Sequence, residues 1–167
     1  MSNTAHRSFF KQERNANATH STLNDTAVCP CRVGEAENTP PSQTYGSCCA
    51  PWHRGLLATP PRYAPTPEQL MRSRYSAYVL QLGGYLLATW YGETSPGEID
   101  FPPTKWLGLE VKHSASTGDV GVVEFTARYR DSTGRAHRLE ETSRFVREGV
   151  GEASRWYYID GIVETPE

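Results

Sequence analysis

Four cysteines near the N-terminus constrain the fold more than any other feature of this sequence. Cys29 and Cys31 flank a single proline, and Cys48 and Cys49 are adjacent. Neither pair can readily close a disulfide of its own, because ring closure over so few residues strains the bond geometry. Two tight thiol pairs do suit a tetrahedral zinc site, for which four cysteines are a common structural ligand set. We therefore predict that these four residues bind a structural Zn²⁺ ion.

Two alternatives to a zinc site stay open at this point, namely disulfides that cross between the pairs and free thiols. Crossed disulfides need an oxidising compartment. The segment before Val28 has no apolar stretch typical of a secretory signal, which predicts a cytoplasmic protein and disfavours disulfides. His53, close to Cys49, could replace one of the metal ligands. The favoured interpretation is that His53 lies beside the ligands or faces solvent.

Composition divides the chain into four regions. Residues 1–27 are polar and predicted to be disordered. Residues 28–55 carry the cysteines, and residues 56–65 are a stiff proline-rich connector. Residues 66–165 contain the regular apolar patterns of a folded domain. No apolar run is long enough to cross a bilayer, so no membrane association is predicted.

Two helices are predicted directly after the connector. Thr66 suits an N-cap and Pro67 the first helical turn. Apolar residues then recur at helical spacing as far as Leu82, and the glycines at 83 and 84 are expected to end the helix. A second, short helix is predicted from Tyr85 to Trp90, packed against the first.

From Trp106 onward the hydrophobic period changes from helical to alternating. Leu107, Leu109 and Val111 alternate with polar residues or glycine, and three further alternating runs follow at hairpin spacing. Four such runs predict a meandering antiparallel sheet. Helices first and strands after indicate an α+β fold with the helices covering the apolar face of the sheet.

The cysteine segment resembles the SEC-C zinc motif, named for the C-terminal tail of the SecA translocation ATPase. That motif has Cys-x-Cys followed by Cys-Cys or Cys-His, and its four ligand positions match the two cysteine pairs here. Tyr45 matches the aromatic residue of the motif. The interval between the pairs, residues 32–47, is longer than usual. The resemblance implies docking onto a protein partner or a ribosomal surface.

The rest of the chain resembles the YchJ-like family of uncharacterised bacterial proteins, which join a SEC-C module to an NTF2-like domain. The strings that carry the resemblance are LMRSRYSAYV, YLLATWY, WLGLEV, GDVGVVEFTARYR, SRFVRE and RWYYIDG, in that order. It implies an NTF2-like cone, in which N-terminal helices pack on a curved antiparallel sheet around a pocket. NTF2-like domains often pair through the outer face of the sheet, so a homodimer is also expected.

Two carboxylates are candidates for catalysis in such a pocket. By alternation Glu141 shares an apolar strand face with Phe145, where burial raises the pKa of a carboxyl group and suits a general base. A structural ion pair with Arg72 or Arg74 is the favoured alternative. Asp160 on the last strand could be a second pocket acid, although an Asp-Gly turn is the favoured interpretation there.

Five further side chains are candidates for binding a ligand in the pocket. For Tyr78 and Trp90 core packing is favoured over ligand stacking, and for Arg144 a solvated or ion-paired role is favoured over anion binding. These candidates are Arg74, Tyr78, Trp90, Arg144 and Tyr158.

The metal signature is strong and the catalytic signature weak, which favours a non-catalytic, zinc-stabilised binding or adaptor protein. The alternative is a small-molecule enzyme of isomerase or dehydratase type, with Glu141 or Asp160 as the base. Nucleic-acid binding through a broad cationic face is disfavoured, because the net charge is −2 at pH 7.

Overall fold

The computed structural model describes residues 23–35 and 43–164. The predicted disorder of residues 1–27 therefore falls largely on residues outside the described ranges. The elements, in chain order, are the 3-10 turns Pro30–Arg32 and Tyr45–Ser47, helices α1 (Ala50–Gly55), α2 (Pro67–Val79) and α3 (Gly83–Ala88), strands β1 (Lys105–Thr117), β2 (Val120–Arg130) and β3 (Ala136–Glu148), the 3-10 turn Gly151–Ala153 and strand β4 (Arg155–Val163). None of the helices in the described ranges has the length and apolar character needed to span a bilayer.

The strands form one antiparallel sheet in the order β1-β2-β3-β4, which confirms the predicted meander and the α+β class. Register shifts interrupt β1 after Trp106 and after Val111, and another separates Arg144 from Phe145 where β3 pairs with β4. Such bulges bend a strand and increase its twist. Helix α2 packs against β1, β2 and β4 of this bent sheet.

Helix α2 begins as the sequence predicts but ends earlier. The Thr66 hydroxyl accepts a hydrogen bond from the Gln69 amide at 3.2 Å, which confirms the N-cap. The helix stops at Val79, because Gln81 adopts a positive φ of 57° and the following amide bonds back to the Ala77 carbonyl. This is a Schellman C-cap. The glycines expected to end α2 instead begin α3.

All residues of α2 from Met71 to Ala77 are buried, including Arg72 and Arg74. The sequence predicts a single apolar stripe on this helix, but the cysteine module and α3 pack on it beside the sheet and bury its polar residues as well. Three of the cysteines share one hydrophobic cluster with core residues of the helix and the sheet, among them Leu70 and Phe145. The cysteine module and the helix–sheet domain therefore have a common core.

Residues 23–27 are part of this arrangement, in contrast to the predicted disorder. The Tyr45 amide donates to the Ala27 carbonyl at 2.8 Å, and the Gly46 amide donates to the Asp25 carbonyl at 2.9 Å. The side chain of Leu23 also packs on the core. These backbone groups are satisfied by the turn that carries the second cysteine pair.

Candidate functional site

The sulfur atoms of the four cysteines lie together in one cluster. Cys31 Sγ is 3.6 Å from Cys29 Sγ, 3.5 Å from Cys48 Sγ and 3.6 Å from Cys49 Sγ, and all four sulfurs lie within 4.8 Å of one another. A tetrahedron with zinc–sulfur bonds of about 2.3 Å has edges of about 3.8 Å. All four cysteines, each within the described ranges, are free. The cluster therefore has the spacing and chemistry of a tetrahedral metal site.

Short backbone turns present the two cysteine pairs to each other. Cys29 starts a 3-10 turn in which its carbonyl accepts from the Arg32 amide at 2.9 Å. Cys49 starts α1, and its carbonyl accepts from the His53 amide at 3.1 Å. The Cys29 amide bonds to the Gln43 carbonyl at 3.0 Å, so the first pair is tied to the segment that leads into the second.

Hydrogen bonds within the cluster push the thiol pKa values in opposite directions. Bonds from Cys29, Cys31 and Cys49 hold the pKa of Cys48 well below its ordinary value. Bonds to Cys29, Cys31 and Cys48, together with burial, raise the pKa of Cys49. Because a metal ion binds thiolates, its entry would release the protons that the other thiols retain. Four thiolates prefer a soft or borderline cation such as zinc.

His53 fixes the module against α2, and its ring nitrogens are not free for a metal. Its Nε2 donates to the Ser73 carbonyl at 2.8 Å, and its Nδ1 accepts from the Tyr45 hydroxyl at 2.8 Å. Burial lowers the pKa of His53 to about 4, so the ring is neutral. The Tyr85 ring packs edge-on against it. The interpretation of His53 as a replacement ligand is therefore not supported.

A buried ion-pair network forms a second connection between the module and α2. Arg72 Nη1 lies 2.7 Å from Glu35 Oε1 and also donates to the Cys31 carbonyl at 3.2 Å. Arg72 Nε donates to Glu68 at 2.8 Å, and Glu35 also pairs with Arg32 at 3.1 Å. The side chain of Arg72 is only 9% exposed, which makes this network sensitive to the loss of one partner.

Ser76 of α2 contacts the sulfur cluster directly and was not singled out by the sequence. Its hydroxyl donates to Cys49 Sγ at 3.3 Å and lies 3.6 Å from Cys29 Sγ. Ser76 is fully buried. A serine in a helix carries no sequence signal for this role, because the contact depends on how the module docks.

Replacing Ser76 with alanine should weaken metal binding without removing a ligand. Loss of an outer hydrogen bond to a metal ligand typically costs about 10–100-fold in affinity. We expect the zinc Kd of Ser76→Ala to rise by roughly 10-fold, measured by competition with a chromophoric chelator. Ser143→Ala, a buried serine on β3, is the matched control and should bind zinc like the wild type. Equal zinc affinity in both variants would contradict a role for Ser76.

A cavity of about 380 Å³ lies between α2, the segment before β1 and the inner face of the sheet. Its wall is mainly aromatic and aliphatic, with one buried guanidinium, the half-buried carboxylate of Glu141 on the opposite element and the exposed carboxylate of Asp100 before β1. The lining residues with most bearing on its chemistry are Arg74, Tyr78, Phe101, Trp106, Glu141 and Tyr158. The loop residue Phe101 was not predicted, since the sequence around it shows only turn-forming residues.

Arg74 contributes the positive charge of the cavity. Its Nη1 donates to the Leu86 carbonyl at 2.7 Å and to the Thr89 hydroxyl at 2.8 Å. Its guanidinium packs on the rings of Trp90 and Tyr158, at 4.8 and 4.4 Å from their centroids. Burial lowers the pKa of Arg74 to about 10, so the group stays charged at neutral pH.

Trp90 touches Arg74 but is absent from the cavity wall, as far as the described residues define it. Its ring meets the edge of Tyr158 at 4.9 Å, and its backbone forms an isolated bridge to that residue. Its Nε1 is buried without a hydrogen-bond partner within the described ranges. Trp90 therefore supports the arginine rather than facing a ligand.

Glu141 faces the cavity but forms no ion pair with Arg72 or Arg74 in the described part of the chain. Its Oε1 accepts from the Ser143 hydroxyl at 2.7 Å and from the Tyr158 hydroxyl at 3.2 Å. The favoured ion-pair interpretation is therefore wrong. Gly161 of β4 leaves room for this carboxylate, since a Cβ at that position would collide with it.

Asp160 and Arg144 lie outside the cavity and pair with each other. The register shift matches Phe145 with Tyr158 but Arg144 with Asp160, so Ile159 is the extra residue of a bulge. This bulge reverses the alternation assumed from the sequence and moves Asp160 to the outer face. Arg144 Nε donates to Asp160 Oδ1 at 2.6 Å. Asp160 is therefore neither a pocket acid nor part of a turn. Arg144 is ion-paired, in agreement with the favoured interpretation of that residue.

Part of the chain matches a known family. The profile of a family described as YchJ, middle NTF2-like domain, matches residues 66–161. A UPF0225 protein of Ralstonia nicotianae is 50% identical over 146 residues, covering 81% of this chain and 91% of that protein. A UPF0225 protein of Polaromonas naphthalenivorans is 46% identical over 142 residues, covering 81% of this chain and 97% of that protein.

Two solved structures are similar in fold and are described as SEC-C motif containing proteins. The crystal structure from Psychrobacter arcticus has a TM-score of 0.70 and 30% identity, covering 86% of each chain. The solution structure from Rhodopseudomonas palustris has a TM-score of 0.60 and 33% identity, covering 75% of this chain and 95% of that one. The NTF2-like fold and the SEC-C module expected from the sequence are confirmed.

Proposed function

The chain belongs to the YchJ-like family of UPF0225 proteins, and from this premise we propose that it is a zinc-dependent, non-catalytic binding protein. The zinc ion fixes the SEC-C module on α2, where the module contacts a macromolecular partner through its outer surface. The NTF2-like cavity takes a small ligand. The observation that carries the proposal is the cluster of four thiols, whose spacing matches a tetrahedral site.

The choice of zinc rests on the ligands. Four cysteine thiolates are a common structural zinc set and fill all positions of a tetrahedron, so no open position remains for chemistry at the metal. A cytoplasmic location fits this proposal, because thiols stay reduced there. The proposed role of the metal is therefore to hold the module in place.

The docking role is supported by exposed apolar side chains on the module. Val28 is 47% exposed and Val33 is 44% exposed, beside the first cysteine pair. Of the partners that the SEC-C resemblance implies, a protein or a ribosomal surface, we favour a protein, because apolar contact is the chemistry these side chains offer.

The docking proposal is tested by co-purification from the native cytosol with single-residue variants. Deleting the module would expose the common core, so surface changes are the better probe. We expect Val28→Asp and Val33→Asp each to lose a partner that wild-type protein retains, with zinc content unchanged. Val150→Asp is the matched control, because Val150 is 90% exposed between β3 and β4. A partner that is retained by both module variants would contradict docking through this surface.

The enzyme alternative is favoured by one observation, the contact between Glu141 and the Tyr158 hydroxyl inside the cavity. A carboxylate beside a tyrosine offers a base and a proton donor to a bound molecule. Conversion of a bound ligand that is lost in Glu141→Gln, at unchanged thermal stability, would support this alternative against a purely binding role.

A further inference from the structure

The guanidinium of Arg74 has hydrogen-bonding capacity that the protein does not use. Both of its hydrogen bonds in the described ranges come from Nη1. Its Nε and Nη2 have no partner there, yet neither is among the fully enclosed polar atoms that lack one. Arg74 is 5% exposed and lines the cavity, so a ligand in the cavity is the partner that these N–H groups could reach. A charged fork of this kind matches a carboxylate.

Glu141 has free capacity of the opposite kind. Both of its hydrogen bonds in the described ranges are accepted by Oε1, which leaves Oε2 without a donor. Oε2 is likewise not among the enclosed atoms lacking a partner, and Glu141 lines the cavity, so a ligand there could reach this oxygen. This oxygen can accept from an ammonium or hydroxyl group of a ligand.

Tyr158 sets the spacing between these two groups. Its ring packs against the Arg74 guanidinium at 4.4 Å, and its hydroxyl bonds to Glu141 at 3.2 Å. The guanidinium therefore packs over the ring and the carboxylate lies at its hydroxyl end, and no ion pair joins the two groups within the described ranges. A molecule with an acid and a donor on neighbouring carbons can bridge this gap and satisfy both.

Most of the remaining wall suits an apolar body, although Gln81, Asp100 and Thr104 also line the cavity. Tyr78 meets Phe101 and Trp106 at ring-centroid distances of 6.3 and 6.4 Å, so three aromatic side chains form one continuous surface. A cavity of about 380 Å³ is within the usual range for small-molecule sites. Aromatic rings give such a site its affinity for aromatic or branched groups.

We propose that the cavity binds a small α-amino or α-hydroxy acid with an apolar, preferably aromatic, side chain. Arg74 receives the carboxylate, Glu141 receives the ammonium or hydroxyl group, and the aromatic wall holds the side chain. This inference rests on the proposed small-ligand role of the cavity and names its ligand class. It is independent of what the module docks onto.

The test is calorimetric titration of the full-length, zinc-loaded protein with four related probes. Phenylalanine and phenyllactate carry both groups, phenylacetate only the acid, and phenethylamine only the amine. We expect phenylalanine or phenyllactate to bind with a Kd of about 1 mM or tighter. Phenylacetate should bind roughly 10-fold more weakly, and phenethylamine should not bind detectably at about 10 mM.

Variants separate the two contacts. Arg74→Met should weaken all acid-bearing probes by at least about 10-fold, as expected for loss of a charge-assisted bond. Glu141→Gln should weaken phenylalanine and leave phenylacetate unchanged. If Arg74→Met fails to fold, Glu141→Gln and Phe101→Ala still test the site, the latter by weakening all aromatic probes equally.

Three results would overturn the inference. They are absence of binding by every probe at about 10 mM, tightest binding by phenethylamine, and an unchanged ratio of phenylalanine to phenylacetate affinity in Glu141→Gln. Zinc content is measured in each sample first. Failure of the probes with zinc-loaded protein therefore counts against this inference alone, whereas protein that takes up no zinc counts against the proposed function.

Discussion

Replacing Cys29 and Cys49 together with serine is expected to abolish metal binding and to unfold most of the protein. Both residues are almost completely buried in the hydrophobic cluster that includes Leu70 and Phe145. Structural zinc sites have apparent binding free energies of roughly 10–16 kcal/mol in zinc-finger peptides. That is comparable with the total stability of a typical domain, about 5–15 kcal/mol. Losing the site should therefore remove most of the net stability.

The measurement combines metal analysis with thermal unfolding. Wild-type protein should contain about one zinc per chain, and the double variant should contain none and show no cooperative transition. Ser47→Ala, an exposed change beside the second cysteine pair, is the matched control and should keep both properties. A metal-free double variant that unfolds cooperatively at the wild-type temperature would contradict the structural role of the metal.

Arg72→Met is expected to cause the next largest loss, because it breaks the buried network between the module and α2. Glu35, with a side chain only 16% exposed, would lose one of its two arginines, and the Cys31 carbonyl would lose its donor. Removing one partner of a buried ion pair typically costs about 3–5 kcal/mol. At about 2–4 °C per kcal/mol for a chain of this size, Tm should fall by on the order of 10 °C.

Differential scanning calorimetry on zinc-loaded protein measures this loss. Arg144→Met is the matched control: Arg144 is ion-paired but lies on the outer face of the sheet with its side chain 54% exposed, and its change should shift Tm far less. Adding Glu35→Gln should lower Tm less in Arg72→Met than in the wild type, because the carboxylate has already lost its buried partner there. Equal Tm values for Arg72→Met and Arg144→Met would show that the network does not hold the module.

The sequence predicts the elements of this fold because local patterns determine them. Thr66 and Pro67 mark the start of α2, and the alternation after Trp106 marks the sheet. The cysteine spacing restricts the metal ligands to one set, which the structure brings together. The helix start and the strands depend on residues that are close in the chain. The metal site depends on thiol chemistry, which only the four cysteines offer.

What the sequence did not predict depends on contacts between distant segments. Arg72 and Ser76 lie off the apolar stripe that periodicity predicts for α2, and both are buried in contact with the cysteine module. Asp160 seemed to share a face with Tyr158 by alternation, but a single extra residue at Ile159 reverses it. A bulge leaves no clear mark in a strand of apolar and aromatic residues, so the composition of the cavity wall could not be derived from periodicity.

Helix α2 is packed between the cysteine module, α3 and the sheet. It therefore contacts two chemically unrelated sites, the sulfur cluster and the cavity. The Ser73 carbonyl binds His53 and the Ser76 hydroxyl contacts the sulfur cluster, whereas Arg74 and Tyr78 line the cavity. Because one helix contacts both sites, loss of the proposed metal ion should weaken binding of the proposed ligand. Such coupling is reciprocal, so a bound ligand should strengthen metal binding by the same factor.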